Sequence, residues 1–113
     1  MHELSLAENL LQIIEDAAHA QQFSHVRTVW LEIGQLACIE HESLRFYFDA
    51  VKADSIAQQA KLEIIDIAGQ AECEACGQQC LIEAYGTACP HCGSYALKVT
   101  QGGEMRIKEL EVE

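Results

Sequence analysis

The sequence predicts an α+β fold: a three-stranded sheet with two helices on one face, plus an inserted zinc-ribbon module. Three observations predict it. Apolar spacing switches between helical and strand periods in the order helix, strand, helix, strand. Two Cys-x-x-Cys pairs, Cys73-Glu-Ala-Cys76 and Cys89-Pro-His-Cys92, then interrupt the pattern, with twelve residues between Cys76 and Cys89. Finally, the stretch from Glu104 to Glu113 alternates like a strand but has no core of its own, so it must return to the first two strands. Residues 1–69 and 102–113 are thus expected to form one domain, with residues 70–101 as a ribbon inserted between its second and third strands.

Residues 4 to about 21 have the spacing of an amphipathic helix. Leu4, Ala7, Leu11, Ile14 and Ala18 make the stripe, flanked by Leu6, Leu10, Ile13 and Ala17. Ser5, with Glu8 three residues on, fits a capping box. Val26 to Ile33 is a strand apolar on both faces, which suits a central position, and Gly34 ends it. A loop over residues 35–41 precedes a second helix from Glu42 to Ala53, built on Leu44, Phe48 and Val51. A short turn over Ser55 to Ala60 leads to a second strand, Lys61 to Ala68. Inside the cysteine segment, Gln79 to Ala84 and Tyr95 to Thr100 are expected to be short strands. In the last strand the apolar residues change parity between Ile107 and Leu110, which predicts a bulge near Lys108-Glu109.

The cysteine pairs carry the strongest chemical signal. Each can wrap a tight turn around a metal, and Gly77 and Gly93 can supply the positive φ such turns need. Four thiolates from Cys73, Cys76, Cys89 and Cys92 suit tetrahedral Zn2+ and leave no coordination position open, which makes the site structural. The segment is too short to bury a useful core, so the metal must hold it together. A disulfide framework is the competing reading, since six cysteines is an even number. The chain begins Met1-His2-Glu3-Leu4 without a secretory pattern, however, and in a cytoplasmic chain paired Cys-x-x-Cys favours metal. Cys38 and Cys80 are expected to be unliganded thiols, and His91 to point to solvent from between two ligands.

Composition narrows the partners. The net charge of −11 opposes nucleic-acid binding, which depends on neutralising phosphates with Lys and Arg. No apolar run approaches the ~20 residues of a membrane span. No nucleophile–base pair, phosphate-cradling loop or open zinc position suggests an enzyme.

The first three residues offer a second metal chemistry. The Met1 amine, the His2 backbone nitrogen and the His2 Nδ1 can close adjacent chelate rings on one ion, and Glu3 can add its backbone nitrogen or carboxylate. Such nitrogen and oxygen donors suit Ni2+ or Cu2+. The ordinary alternative is an exposed terminal histidine, with Glu3 favoured by the helix macrodipole and Glu40 and His41 as solvated loop residues. Residue type alone leaves both readings open.

Met-His-Glu-Leu-Ser-Leu at the start, Val29-Trp30-Leu31-Glu32-Ile33-Gly34, the cysteine quartet and Gly103-Glu104-Met105 together resemble the HypA/HybF family of hydrogenase nickel-incorporation proteins. The resemblance spans the whole chain. It implies a nickel metallochaperone, not an enzyme, that works with the GTPase HypB to deliver Ni2+ to the large subunit of [NiFe] hydrogenase. In some members it extends to urease maturation proteins. It implies nickel ligation by His2 and Glu3 with the Met1 amine, a further carboxylate at Glu40, and structural zinc on Cys73, Cys76, Cys89 and Cys92. Some members carry a histidine directly after each cysteine pair, where this chain has Gly77 and Gly93. The reading from a different class is a zinc-ribbon adaptor that docks proteins and handles no nickel.

Overall fold

The computed structural model describes residues 3–113. Helix α1 spans Glu3–Gln21, and strand β1 spans Val26–Gly34. A 3-10 turn at Gln35–Ala37 leads to helix α2, His41–Val51. Strand β2 (Lys61–Ile67) follows, then β3 (Gln70–Cys73), β4 (Gln79–Leu81) and β5 (Leu97–Gln101), and the chain closes with β6 (Met105–Val112). Two three-stranded sheets result, in the orders β2-β1-β6 and β4-β3-β5. The two predicted helices and the first sheet are present. β1 is its central strand, as its doubly apolar faces require, and charge-rich β6 lies at an edge.

Two compact units divide the chain. The first comprises Met1–Leu31, Ile39–Ile64 and Ile107–Glu113; the second comprises Glu32–Cys38 and Ile65–Arg106.

In the first unit α1 packs against α2. α1 buries Leu6, Ala7, Leu10, Ile14 and Ala18. The stripe is therefore rotated from the predicted one: Leu4 and Ile13 stay largely exposed, while Leu6 and Leu10 turn inward. Ser5 lies inside α1, not ahead of it, so it is not an N-cap. The helix ends where Gln22 takes a left-handed conformation (φ 58°) and returns its N–H to the Ala18 carbonyl at 2.7 Å. α2 buries Leu44 and Phe48 and leaves Phe46 exposed. Two of its cations fix it to the β2 side: Arg45 donates to the Leu62 carbonyl, and Lys52 Nζ donates to the Ala60 carbonyl at 2.7 Å. The residues between are a run of hydrogen-bonded turns, among them Ser55 N–H to Lys52 O and Ala60 N–H to Ala57 O.

The change of face predicted for the last strand is visible in burial. Met105 and Ile107 are half-buried, Lys108 and Glu109 are both exposed, and Leu110 is half-buried again. At its C-terminal end Glu113 exchanges backbone hydrogen bonds with His25 at 2.8 and 3.3 Å, closing the antiparallel pair with β1.

The second unit contains a strand that periodicity did not reveal. β3 begins directly after Gly69 and is the centre of the ribbon sheet, antiparallel to both β4 and β5. Its four residues, Gln-Ala-Glu-Cys, alternate in burial but carry one small apolar side chain and one metal-type ligand, too little for a strand signal. β4 stops at Leu81, short of the predicted Ala84.

Glycines set the base of this sheet. A Cβ at Gly34 would lie 2.0 Å from the Gly102 carbonyl oxygen, and one at Gly102 would lie 2.6 Å from the Gly69 Cα. The three backbones thus pack with no room for side chains, and Gly102 also requires its φ of +93°. Above them a small core forms from Leu36, Ala71, Cys80 and Ile82, with Leu97 and Val99 against it.

Phe48 is fully buried, so Phe48→Ala is expected to destabilise the protein by about 3–5 kcal/mol. Denaturant unfolding followed by far-UV circular dichroism measures this; a loss below about 1 kcal/mol would show that Phe48 is not a keystone of the first unit.

Candidate metal centres

Two tight turns build the cysteine site. After Cys73 the chain folds back so that Gly77 N–H donates to the Cys73 carbonyl at 2.8 Å and Cys73 N–H donates to Gln78 O at 2.9 Å. The second turn repeats the pattern: Gly93 N–H to Cys89 O at 2.8 Å and Cys89 N–H to Ser94 O at 2.7 Å. Gly77 and Gly93 have φ of 76° and 78°, the positive values expected of them, and open space where a Cβ would lie. Backbone sign, not crowding, selects glycine there.

The four sulfurs converge. Cys73 Sγ lies 3.6 Å from Cys92 Sγ, and Cys76 Sγ lies 3.8 Å from Cys89 Sγ. All four lie within 4.8 Å of one another, the one such metal-ligand group among the described residues. A disulfide needs about 2.05 Å, so these are free thiols and the disulfide framework is excluded. Zn–S bonds of ~2.3 Å in a tetrahedron put sulfurs about 3.8 Å apart, and the observed spacing fits that. The four-cysteine cluster therefore fits a structural zinc site.

The local electrostatics also ask for a cation. Cys73 is held down to about 7, chiefly because the Cys76 N–H donates to its sulfur, against the opposing effect of burial. Burial opposes ionisation of Cys89, yet the backbone N–H groups of Cys92 and His91 outweigh it and lower that thiol too; His91 N lies 3.4 Å from Cys89 Sγ. Ser94 N–H favours the Cys92 thiolate, but the adjacent Cys73 sulfur and burial override it and push Cys92 up to about 12. Backbone dipoles thus prepare part of the quartet as thiolates, while hydrogen bonding to a neighbouring sulfur and burial keep Cys92 protonated. A divalent ion removes that conflict.

Cys80 is not one of the four. It sits in the small apolar core, and burial, followed by the charge of Cys89, raises its pKa. Its burial opposite Ala71 in β3 was not visible without knowledge of that strand. Cys38 is exposed at a left-handed position (φ 55°) after the 3-10 turn.

Of the residues expected at the second site, Met1 and His2 lie outside the described residues. Glu3 and Glu40 are brought together although thirty-seven positions apart: Glu40 N–H donates to Glu3 Oε2 at 3.4 Å. Glu40 is the N-cap residue of α2, with its own side chain making no capping bond. His41, expected in the loop, is the first residue of that helix.

The family described as "Hydrogenase/urease nickel incorporation, metallochaperone, hypA" matches residues 1–112. The chain is 54% identical over 113 residues to the hydrogenase maturation factor HypA of Azotobacter vinelandii, covering all of both proteins. It is 57% identical over 114 residues to that of Albidiferax ferrireducens, again covering both completely. Among solved structures, it resembles the solution structure of the Ni metallochaperone HypA from Helicobacter pylori with a TM-score of 0.76 at 30% identity, covering 99% of this chain and 97% of that one. A second solution structure of a HypA protein matches with a TM-score of 0.75 at 29% identity, covering 100% and 97%.

Replacing Cys89 by serine, or stripping the metal with a chelator, is expected to abolish zinc retention and collapse the amide dispersion of residues 65–106. Elemental analysis alongside two-dimensional NMR checks both; a folded ribbon without metal would contradict the structural role.

Proposed function

Because the chain belongs to the HypA family of nickel-incorporation metallochaperones that serve hydrogenase maturation, we propose that it binds Ni2+ at its N-terminus as cargo and hands it on. Met1 contributes its amine, His2 its backbone nitrogen and Nδ1, and Glu3 a further donor. Glu40 stands beside them as an additional carboxylate. Residues 1–69 and 102–113 form the nickel-binding domain. Residues 70–101 form the zinc ribbon, with Cys73, Cys76, Cys89 and Cys92 as the ligands.

The observation that most supports the terminal site is the meeting of Glu3 with Glu40. The contact brings the main chain of Glu40, from a distant part of the sequence, to the Glu3 carboxylate beside the proposed chelate. Glu40, the N-cap residue of α2, makes no side-chain capping bond of its own.

The recipient is the large subunit of [NiFe] hydrogenase, reached with a HypB-type GTPase, and the family description extends the role to urease. No described helix is long and apolar enough to cross a membrane, and we place the protein in the cytoplasm, where hydrogenase and urease subunits would receive their metal. Its acidic balance suits basic partner surfaces and steers it away from nucleic acid. As a family of metallochaperones, these proteins are carriers and not catalysts.

The two metals call for different chemistry. The zinc site is closed by four sulfurs; the nickel site uses nitrogen and oxygen donors at a chain end, which leaves an approach for the acceptor. Protons compete for the amine, amide and imidazole, so nickel is released as pH falls.

His2→Ala is expected to lower nickel affinity at least a hundredfold while leaving zinc content and unfolding unchanged. Calorimetric titration of the zinc-loaded protein tests it, and an unaltered nickel isotherm would place the cargo site elsewhere.

A further inference from the structure

The contact between Glu3 and Glu40 has the form of a helix cap supplied from another helix. The N-cap residue of an α-helix carries a backbone N–H that no intrahelical carbonyl can accept. In a capping box, a Glu or Gln at the third helical position reaches back to it. α2 starts at His41, so its third residue is Ser43, whose side chain is too short for that reach. The missing acid arrives from α1: Glu3 Oε2 accepts the Glu40 N–H at 3.4 Å. The Glu40 carbonyl meanwhile accepts the first intrahelical bond of α2, from Leu44 N–H at 3.0 Å. Glu3 is also in the first turn of α1, so one carboxylate lies at the positive ends of two helices that pack together.

We infer that the Glu3 carboxylate is a positioning group that caps α2, and that nickel is therefore held by the rest of the terminus while this carboxylate stays on α2. The capping half stands on the contact itself; the metal half rests on the nickel reading above. The arrangement gives Glu3 two attachments. Its main chain continues into the proposed chelate, and its side chain fixes the start of α2. Anything that immobilises the Glu3 main chain strengthens the cap, and by reciprocity an intact cap favours metal at the terminus. Nickel occupancy is thereby linked to the order of the α1–α2 pair, an element that a partner protein can sense.

The test uses the full-length, zinc-loaded protein and three variants: Glu3→Gln, Glu3→Ala and His2→Ala. Residue-resolved amide exchange without nickel reads the cap at Glu40, and titration with Ni2+ alone reads the metal. Glu3→Ala is expected to speed Glu40 amide exchange about fivefold and to weaken nickel by a similar factor. Glu3→Gln keeps an acceptor oxygen and should remain near wild type in both. In the wild type, nickel should slow Glu40 exchange; in Glu3→Ala it should not. Equal Glu40 exchange in Glu3→Ala and wild type would overturn the cap. Loss of nickel in Glu3→Gln as complete as in Glu3→Ala would overturn the positioning role, making the carboxylate a direct ligand. His2→Ala separates the two readings: loss of nickel with normal Glu40 exchange is the expected result. Unchanged nickel affinity in that variant would sink the terminal site while the cap is still judged by exchange.

Discussion

Convergence of four sulfurs is the constraint on which the ribbon depends. Its apolar core amounts to Leu36, Ala71, Cys80 and Ile82 with two partly buried neighbours, far less than an independent domain of this size needs. A bound structural zinc is worth about 10–16 kcal/mol in small modules of this type. That is larger than the whole net stability of an ordinary domain, about 5–15 kcal/mol. Cys73 is held down while Cys92 is pushed up, and a bound cation would let both serve as thiolates. A structural zinc held here would make folding of the ribbon and capture of the ion one event. The turns around Gly77 and Gly93 exist to aim sulfur, and β3 exists to carry Cys73 into the cluster.

A site this dependent on one ion needs a firm base, and the glycine contacts provide it. Gly34, Gly69 and Gly102 let three stretches of backbone approach more closely than any side chain permits. Hydrogen bonds tie the same stretches together: Leu36 N–H to Gly102 O at 2.9 Å and Ile82 N–H to Gly69 O at 3.0 Å. Leu36 thereby enters the ribbon core from a segment thirty-five residues upstream of Ala71 in sequence. Long-range closure of this kind costs loop entropy, which is offset only once the core and the sulfur cluster both form.

Periodicity made the main elements legible. α1, α2, β1, β2 and β6 follow from where apolar residues recur, and the central place of β1 follows from its two apolar faces. The quartet was legible because ligand spacing is a chemical pattern independent of fold. β3 was not, because a four-residue strand held in place by partners and a metal needs little apolar signal of its own. The rotation of the α1 stripe was equally hidden: Leu4 and Leu6 are both apolar, and only the position of α2 decides which turns inward. The meeting of Glu3 with Glu40 is a tertiary fact, since no local pattern shows that the Glu40 N–H reaches the Glu3 carboxylate. The family resemblance pointed to both residues, while the physical link between them came from the helix start they share.

Selectivity follows from the same donor chemistry. A closed cage of four sulfurs presents soft ligands and no open position, which suits retention of Zn2+ over exchange. An amine, an amide and an imidazole at a chain end would bind Cu2+ more tightly than Ni2+ by the Irving–Williams order. Affinity alone thus cannot make such a terminus a nickel carrier. Discrimination has to enter through something copper does not reproduce: the free metal available in the cell, or a partner that recognises the occupied state. A capped α2 answers the second requirement, because it turns occupancy at the terminus into the order of a helix pair. Recognition then reads a protein surface, and the identity of the ion matters through how it holds the Glu3 main chain. A metal that pulled the Glu3 carboxylate into its own coordination sphere would strip the cap from α2 and so present a different surface from one that left it in place.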